Sequence, residues 1–258
     1  MAQLALDGKV AFITGAGSGI ARAAARLFAL AGAKVVIAEL KPELGRASEA
    51  WVREAGGDAT FIETDVTKED SVKKAVGAAV ARYGKLNVLY NCAGGSIPQD
   101  EPVTDVDMSV WQHTMSLDLL GPFLCCRHGI PEIIKAGGGA IVNMSSGAAL
   151  RGSYKGHVYS AAKGAIISFT KVLAGRYARD NIRANAICPG LTITERVIRM
   201  FGDPRKSPDS PMAAALRHYP FSVGDPEDIA NVALFLASDR SRMITGAAIP
   251  ADGGNSAY

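Results

Sequence analysis

The 258-residue chain is short of charge imbalance, of cysteine and of long apolar runs, and each shortage excludes something. Lys and Arg number 28 against 25 Asp and Glu, a formal charge of +3. That surplus is too weak and too dispersed for binding to a nucleic-acid backbone. The four cysteines, Cys92, Cys125, Cys126 and Cys188, include no CxxC pair and no Cys–His spacing suited to zinc. Cys125 and Cys126 are adjacent, a poor arrangement for bridging distant parts of a fold. All four therefore read as reduced core or near-core residues of a cytoplasmic protein, with no metal site. The opening MAQLALDGKV has no basic segment followed by an apolar stretch, so no signal peptide is expected. The richest apolar stretch is interrupted by Arg22, Arg26 and Lys34, so no membrane span is expected either. A hydrophobic fraction of 48% argues against disorder, and the length permits a sizeable core.

What is present is an alternation of short β-branched runs and longer stretches of helical period. The runs are Val10–Thr14, Lys34–Glu39, Ala59–Glu63, Leu86–Tyr90, Ala140–Ser145, Arg183–Cys188 and Ala247–Pro250. Between them the pattern predicts helices near Ile20–Ala31, Pro42–Ala55, Lys68–Tyr83, Asp107–Lys135, Val158–Arg179 and Pro226–Ala237. Such alternation predicts an α/β fold: one Rossmann-like, doubly wound parallel sheet of about seven strands with helices on both faces. These elements consume most of the chain, so 1–258 reads as one domain. Only the stretch 190–224 breaks the rhythm, with Pro204, Pro208, Pro211 and Pro220 and short apolar pieces at Val197–Phe201 and Met212–Leu216. It falls where open α/β sheets bind ligands, and reads as a substrate lid or as a plain surface loop.

Thr14-Gly15-Ala16-Gly17-Ser18-Gly19-Ile20-Ala21 follows the first strand and opens the first helix. Glycines there let the backbone turn sharply and approach a pyrophosphate, while free amides at the helix start face its charge. Gly15, Ser18, Gly19 and Ile20 are the candidate contacts. Glu39 ends the second strand, where a carboxylate binds the adenosine ribose hydroxyls of NAD and repels the extra phosphate of NADP. Leu40 follows it and supplies no cation. NAD is the expected cofactor.

Tyr159-Ser160-Ala161-Ala162-Lys163 puts a phenol and an ammonium on one helix face. A nearby cation favours the phenolate and lowers a pKa that starts near 10, which suits acid–base work. The spacing alone is cheap and gains weight in company. Asp65-Val66 follows the third strand, Asn91-Cys92-Ala93-Gly94 the fourth, Ser145-Ser146 the fifth, and Pro189-Gly190 with Thr194 the sixth, before Asp252-Gly253-Gly254. With these motifs in this order, the chain closely resembles the short-chain dehydrogenase/reductase family over essentially its whole length. The resemblance implies that Ser146 hydrogen-bonds the substrate oxygen, that Tyr159 exchanges a proton with it, and that Lys163 tunes Tyr159 and binds the nicotinamide ribose. It also implies that Asp65 and Val66 hold the adenine, that Asn91, Ala93 and Gly94 shape the adenosine side, and that Pro189, Gly190, Thr192 and Thr194 hold the nicotinamide end.

Two positions depart from the family pattern. Ala21 stands where a third glycine is usual, a change expected to spare cofactor binding. Asp118 stands where the family has the asparagine of its catalytic set. It either maintains the proton relay or serves a structural role with the relay damaged, since an ionised carboxylate cannot donate. Candidate substrate residues are Ser96, Ser146, Tyr159 and His157, the last being a contact or only a packed neighbour. Arg196, Arg199, Arg205 and Arg217 of the lid either recruit an anionic group or form a solvated basic face. The expected activity is hydride transfer between NAD(H) and a medium-sized secondary alcohol or ketone. The alternatives are an NADP(H)-dependent 3-oxoacyl thioester reductase and a catalytically silent dinucleotide-binding scaffold. The resemblance also implies a small-molecule substrate and a homo-oligomer, tetramer or dimer, joined through the long helices after the fourth and fifth strands.

Overall fold

A computed structural model of the chain describes residues 5–203, 206, 213, 216 and 219–257. Pro204, Arg205, Pro208, Pro211, Met212 and Arg217, singled out above, lie outside the described residues, as does most of the Met212–Leu216 piece. The strands are β1 (Val10–Thr14), β2 (Lys34–Glu39), β3 (Asp58–Glu63), β4 (Val88–Asn91), β5 (Gly139–Met144), β6 (Ile182–Pro189) and β7 (Ala248–Ala251). They form one sheet in the order β3-β2-β1-β4-β5-β6-β7, and every neighbouring pair is parallel. The helices are α1 (Gly19–Leu30), α2 (Pro42–Glu54), α3 (Glu69–Tyr83), α4 (Met108–Met115), α5 (Gly121–Lys135), α6 (His157–Tyr177), α7 (Glu195–Phe201) and α8 (Pro226–Ala237). The seven-stranded, doubly wound single domain is the architecture that the alternation of runs predicts.

Both faces of the sheet are covered. On one, Leu6, Phe28, Val35, Ile37 and Tyr90 pack with Ile229, Ala233 and Leu236 of α8. The rings of Phe28 and Tyr90 stack with centroids 6.1 Å apart. Buried Ala21, Ala23, Ala24, Ala25 and Ala29 let α1 lie close to the sheet and to α8, which explains a helix with so few large side chains. On the other face Val10, Phe12, Val36 and Leu89 meet α3, α5 and α6 through Val72, Val76, Ile130, Ile133 and Leu173. Each fully buried Val, Ile, Leu or Phe contributes about 1.5–3 kcal/mol, so the strand ends that carry the chemistry are held by a stiff frame.

The single helix expected over Asp107–Lys135 is divided. A π-helical turn, Ser116–Leu120, separates α4 from α5, and the Gly121 N–H donates to the Ser116 carbonyl five residues back. Pro122 explains it: proline has no N–H for the ladder, and its ring displaces the carbonyl four residues before it, that of Asp118. Asp118 is thereby set on a widened turn, fully buried.

Candidate active site

The carboxyl ends of β1, β4, β5 and β6 open onto one cleft of about 590 Å³. The order in which strands are added to the sheet reverses between β1 and β4, the place where doubly wound sheets receive ligands. At the β1 end Thr14 Oγ1 accepts from the amides of Cys92 and Ala93 at 3.0 and 3.1 Å, which ties the two strand ends together. Gly15 has φ +68°, and a Cβ there would stand 2.9 Å from Ala93 Cα, so only glycine fits. Glu39 folds back over the turn and accepts from the amides of Gly17 and Lys41, each at 3.1 Å. The Gly19 amide, at the start of α1, donates to Glu195 Oε2 of α7 at 3.2 Å.

At the β5 end Ser146 Oγ accepts from the Ala148 amide at 3.1 Å and stands close enough to the Tyr159 phenol to lower its pKa. One turn along α6, Lys163 is buried; its ammonium lies 2.9 Å from Asp118 Oδ1, 3.0 Å from the Met144 carbonyl and 5.6 Å from the Tyr159 ring centre. The same Asp118 oxygen accepts from the Gly95 amide at 2.9 Å, while Asp118 Oδ2 is buried with no hydrogen-bond partner among the described residues. Burial works against the Lys163 charge, but the Asp118 carboxylate outweighs it with help from Tyr159, and its pKa stands above the ordinary value. Tyr159 departs from the sequence expectation. Burial raises its pKa, Lys163 lowers it, Asp118 raises it and Ser146 lowers it, and the net direction is upward. Burial of the phenol outweighs the ammonium that should favour the phenolate, and the Asp118 carboxylate adds to it.

The geometry and the likenesses to known proteins agree. A family model described as enoyl-(acyl carrier protein) reductase matches residues 15–256. The chain is 39% identical to the cis-4-hydroxycyclohexanecarboxylate dehydrogenase of Sinomonas cyclohexanicum over 96% of its own length and 97% of that protein. It is 38% identical to the 2,5-dichloro-2,5-cyclohexadiene-1,4-diol dehydrogenase LinX of Sphingobium indicum, over 96% of each. A crystal structure of a short-chain dehydrogenase/reductase from Burkholderia xenovorans superposes with a TM-score of 0.90 at 37% identity, covering 98% of each chain. The chain belongs to the short-chain dehydrogenase/reductase family. It is an oxidoreductase, and members of the family work with a nicotinamide dinucleotide.

The cleft fits such a cofactor on its own evidence. The Gly19 amide at the start of α1 already holds an anion, the Glu195 carboxylate, in the place where a helix N-terminus would receive a pyrophosphate. Among the family positions, Gly15, Ser18, Gly19, Ile20, Glu39, Ala93, Gly94, Ser96, Ser146, Tyr159, Lys163, Pro189, Gly190, Thr192 and Thr194 all line this cleft. Five others stand apart from its lining, and Asp118 lies directly beneath it, behind Lys163 and Gly94. Leu40 is exposed, and Val66 is buried against Gly121. Asp65 gives its carboxylate to the Thr67 amide and hydroxyl, at 2.9 and 2.7 Å. Asn91 turns into the interior, donating to Asn143 Oδ1 at 2.8 Å, and Asn143 in turn donates to Thr170 of α6 at 2.9 Å. His157 is exposed and its Nδ1 accepts from the Val103 amide at 3.0 Å, away from the cleft. Of the lid arginines, Arg196 lines the cleft and Arg199 is exposed outside it.

Sequence reasoning missed three cleft-side residues. Asp100, buried in the loop after β4, accepts from the amides of Val158 and Tyr159 at 3.1 and 2.8 Å. It caps α6 from a distance, since Gly156 at the N-cap has no side chain to do so. Arg151 and Asn255 lie on the cleft wall in contact with each other. No local pattern announces a cap supplied from 59 residues upstream or a pair 104 residues apart. Cys125, Cys126 and Cys188 are buried, while Cys92 is half-buried and lines the cleft; burial pushes Cys126 up to about 12 and Cys125 well above the usual thiol range, so both stay protonated. Among the described residues no group of His, Cys, Asp and Glu is placed to hold a metal, and no helix is long and apolar enough to cross a membrane.

Proposed function

We propose that the protein is an NAD-dependent dehydrogenase that converts a cyclic or similarly sized secondary alcohol to its ketone, and the reverse. The single observation that carries this is the convergence of Ser146, Tyr159 and Lys163 on one cleft that opens onto the glycine turn. When bound, the nicotinamide ring supplies the acceptor for the hydride from the alcohol carbon. Ser146 holds the alcohol oxygen by a hydrogen bond, Tyr159 takes the hydroxyl proton as phenolate, and Lys163 stabilises that phenolate electrostatically. Glu39, fixed by two backbone amides, presents a carboxylate to the ribose hydroxyls and disfavours a phosphate there. The names of two relatives, a hydroxycyclohexanecarboxylate dehydrogenase and a cyclohexadienediol dehydrogenase, support a ring alcohol. Met200, Phe201 and Tyr219 give the cleft an apolar side that suits one, with the described part of 190–224 acting as the lid.

We further assign a homo-oligomer. An apolar groove formed by Met115, Leu119, Leu120, Phe123 and Phe169 runs along the π-helical turn, α5 and α6, with Leu120 and Phe123 exposed. Ile166 faces the sheet and takes no part in it, whereas Ala161 is exposed. The test is turnover of a panel of cyclic, aromatic, acyl and polyol secondary alcohols with NAD and NADP in parallel, and with Tyr159→Phe as control. Turnover with NAD that the control abolishes is expected. Preference for NADP with an acyl thioester would replace this reading by the acyl reductase, and NADH binding without turnover would leave a scaffold.

A further inference from the structure

The cleft holds a cation that the proposed chemistry does not use. Arg151 follows the short 3-10 turn Gly147–Ala149 behind Ser146, is half-buried, and lines the cleft beside Ser153, Tyr154 and Tyr219. Its one hydrogen bond among the described residues goes to Asn255 Oδ1, a neutral acceptor, and no carboxylate pairs with it there. Asp252, the acid on the same tail, accepts instead from the amides of Gly254 and Ser256 at 3.1 and 2.9 Å. A guanidinium has five donors, and among the described residues only Asn255 takes one from Arg151, which leaves the others free on the cleft side.

The anionic part of the cofactor, its pyrophosphate, does not account for it. The pyrophosphate amides belong to the β1–α1 turn, whereas Arg151 follows β5 and its partner Asn255 follows β7, two and four strands along the sheet. At about 4.8 Å per strand these lie roughly 10 and 19 Å to the side. Arg196 is the cation at the cofactor side: it donates to the Gly94 carbonyl at 3.3 Å and covers Gly95, next to Glu195 on the Gly19 amide. Arg151 is therefore on the wall away from the pyrophosphate turn, with the Tyr154 ring tilted against that of Tyr159 at 5.7 Å between centroids.

We infer that Arg151, oriented by Asn255, binds a carboxylate carried by the substrate, so that the alcohols this enzyme selects are hydroxy acids whose hydroxyl and carboxylate lie on opposite sides of an apolar ring or chain. The inference rests on the dehydrogenase reading of the same cleft for the hydroxyl end, and on Arg151 for the other. Asn255 occupies one edge of the guanidinium, and the remaining donors form a fork matched to two carboxylate oxygens.

The experiment is calorimetry with cyclohexanecarboxylate, and in parallel its carboxamide, on wild-type protein, Arg151→Gln and Arg151→Lys with NAD present. The acid should bind Arg151→Gln about 10- to 100-fold more weakly than wild type, with part of the loss recovered in Arg151→Lys and no difference for the amide. Melting curves of the three proteins control for folding. In turnover, the ratio of kcat/KM for a ring hydroxy acid over its methyl ester should fall by a similar factor in Arg151→Gln. No binding of the acid to wild type, or equal binding by wild type and Arg151→Gln, overturns the inference. Arg151-dependent binding of the acid without turnover of any alcohol upholds it and counts against the dehydrogenase reading alone.

Discussion

Asp118→Asn is the sharpest perturbation available, because it removes one buried charge and keeps one acceptor. An asparagine oxygen can still accept from the Gly95 amide and from Lys163, both 2.9 Å from Asp118 Oδ1 in the native protein. Lys163 stands between the carboxylate and the phenol, 5.6 Å from the Tyr159 ring centre. At a separation of roughly 7 Å and an effective dielectric of about 20, two like charges repel by about 2.4 kcal/mol, and water in the open cleft lowers this. The sign follows from the charges: Asp118 raises the Tyr159 pKa, so its removal lets the phenolate form at lower pH. Lys163 also loses the partner that offsets its burial, so its own titration moves down. The pH profile of alcohol oxidation should therefore move as a whole toward lower pH. Leaving the buried Lys163 ammonium with an amide dipole in place of a carboxylate should lower stability by about 1–3 kcal/mol. The assay is kcat between about pH 6 and 10 for both proteins, with circular dichroism to confirm the fold. A profile that does not move in a folded variant would refute the argument.

Asp100→Ala strips the cap from the first turn of α6, at a cost of about 1–2 kcal/mol, and lets Tyr159 drift. The melting temperature and kcat should both fall and Asp100→Asn should restore much of each; a lower melting temperature with unchanged kcat would make the cap purely structural. Gly15→Ala forces a left-handed conformation on alanine, worth about 1–2 kcal/mol, and presses its Cβ to 2.9 Å from Ala93 Cα, so NADH affinity measured by fluorescence should drop with stability. Native affinity in that variant would contradict the close approach. Burial raises Cys126 from an ordinary 9.0 to about 12, so the folded protein keeps a proton that the unfolded chain releases. Its contribution is complete below the ordinary thiol pKa and is lost as pH rises toward 12, at about 1.4 kcal/mol per pH unit. Urea unfolding should show stability falling from pH 9 to 11, less steeply in Cys126→Ala; parallel curves for the two proteins would exclude the thiol as a cause.

The parts legible in the sequence are those with a local signature. β1 announces itself by Val10–Thr14 and a glycine turn, and Tyr159 and Lys163 by their spacing on one helix, because periodicity and turn chemistry act over a few residues. The division of Asp107–Lys135 was also written locally, in Pro122, but the surrounding helical period masks it. What could not be read is the non-local pairing. Asn91 looks like a cleft residue by motif, yet its amide completes a buried chain to Asn143 and Thr170, each on a different element. The direction of the Tyr159 shift depends first on how deeply the folded chain buries the phenol and then on the Asp118 carboxylate beside Lys163, neither of which the spacing on the helix announces.

The contact between Glu195 and the Gly19 amide bears on how this protein is crystallised. The chain supplies its own counter-anion at the start of α1, so a dinucleotide arriving there has to displace the Glu195 side chain at the first turn of α7. In a lattice that clamps α7, soaking would therefore fail or crack the crystal, however tightly the dinucleotide binds in solution. Co-crystallisation, or Glu195→Gln to lower the charge being evicted, is the practical route to a complex.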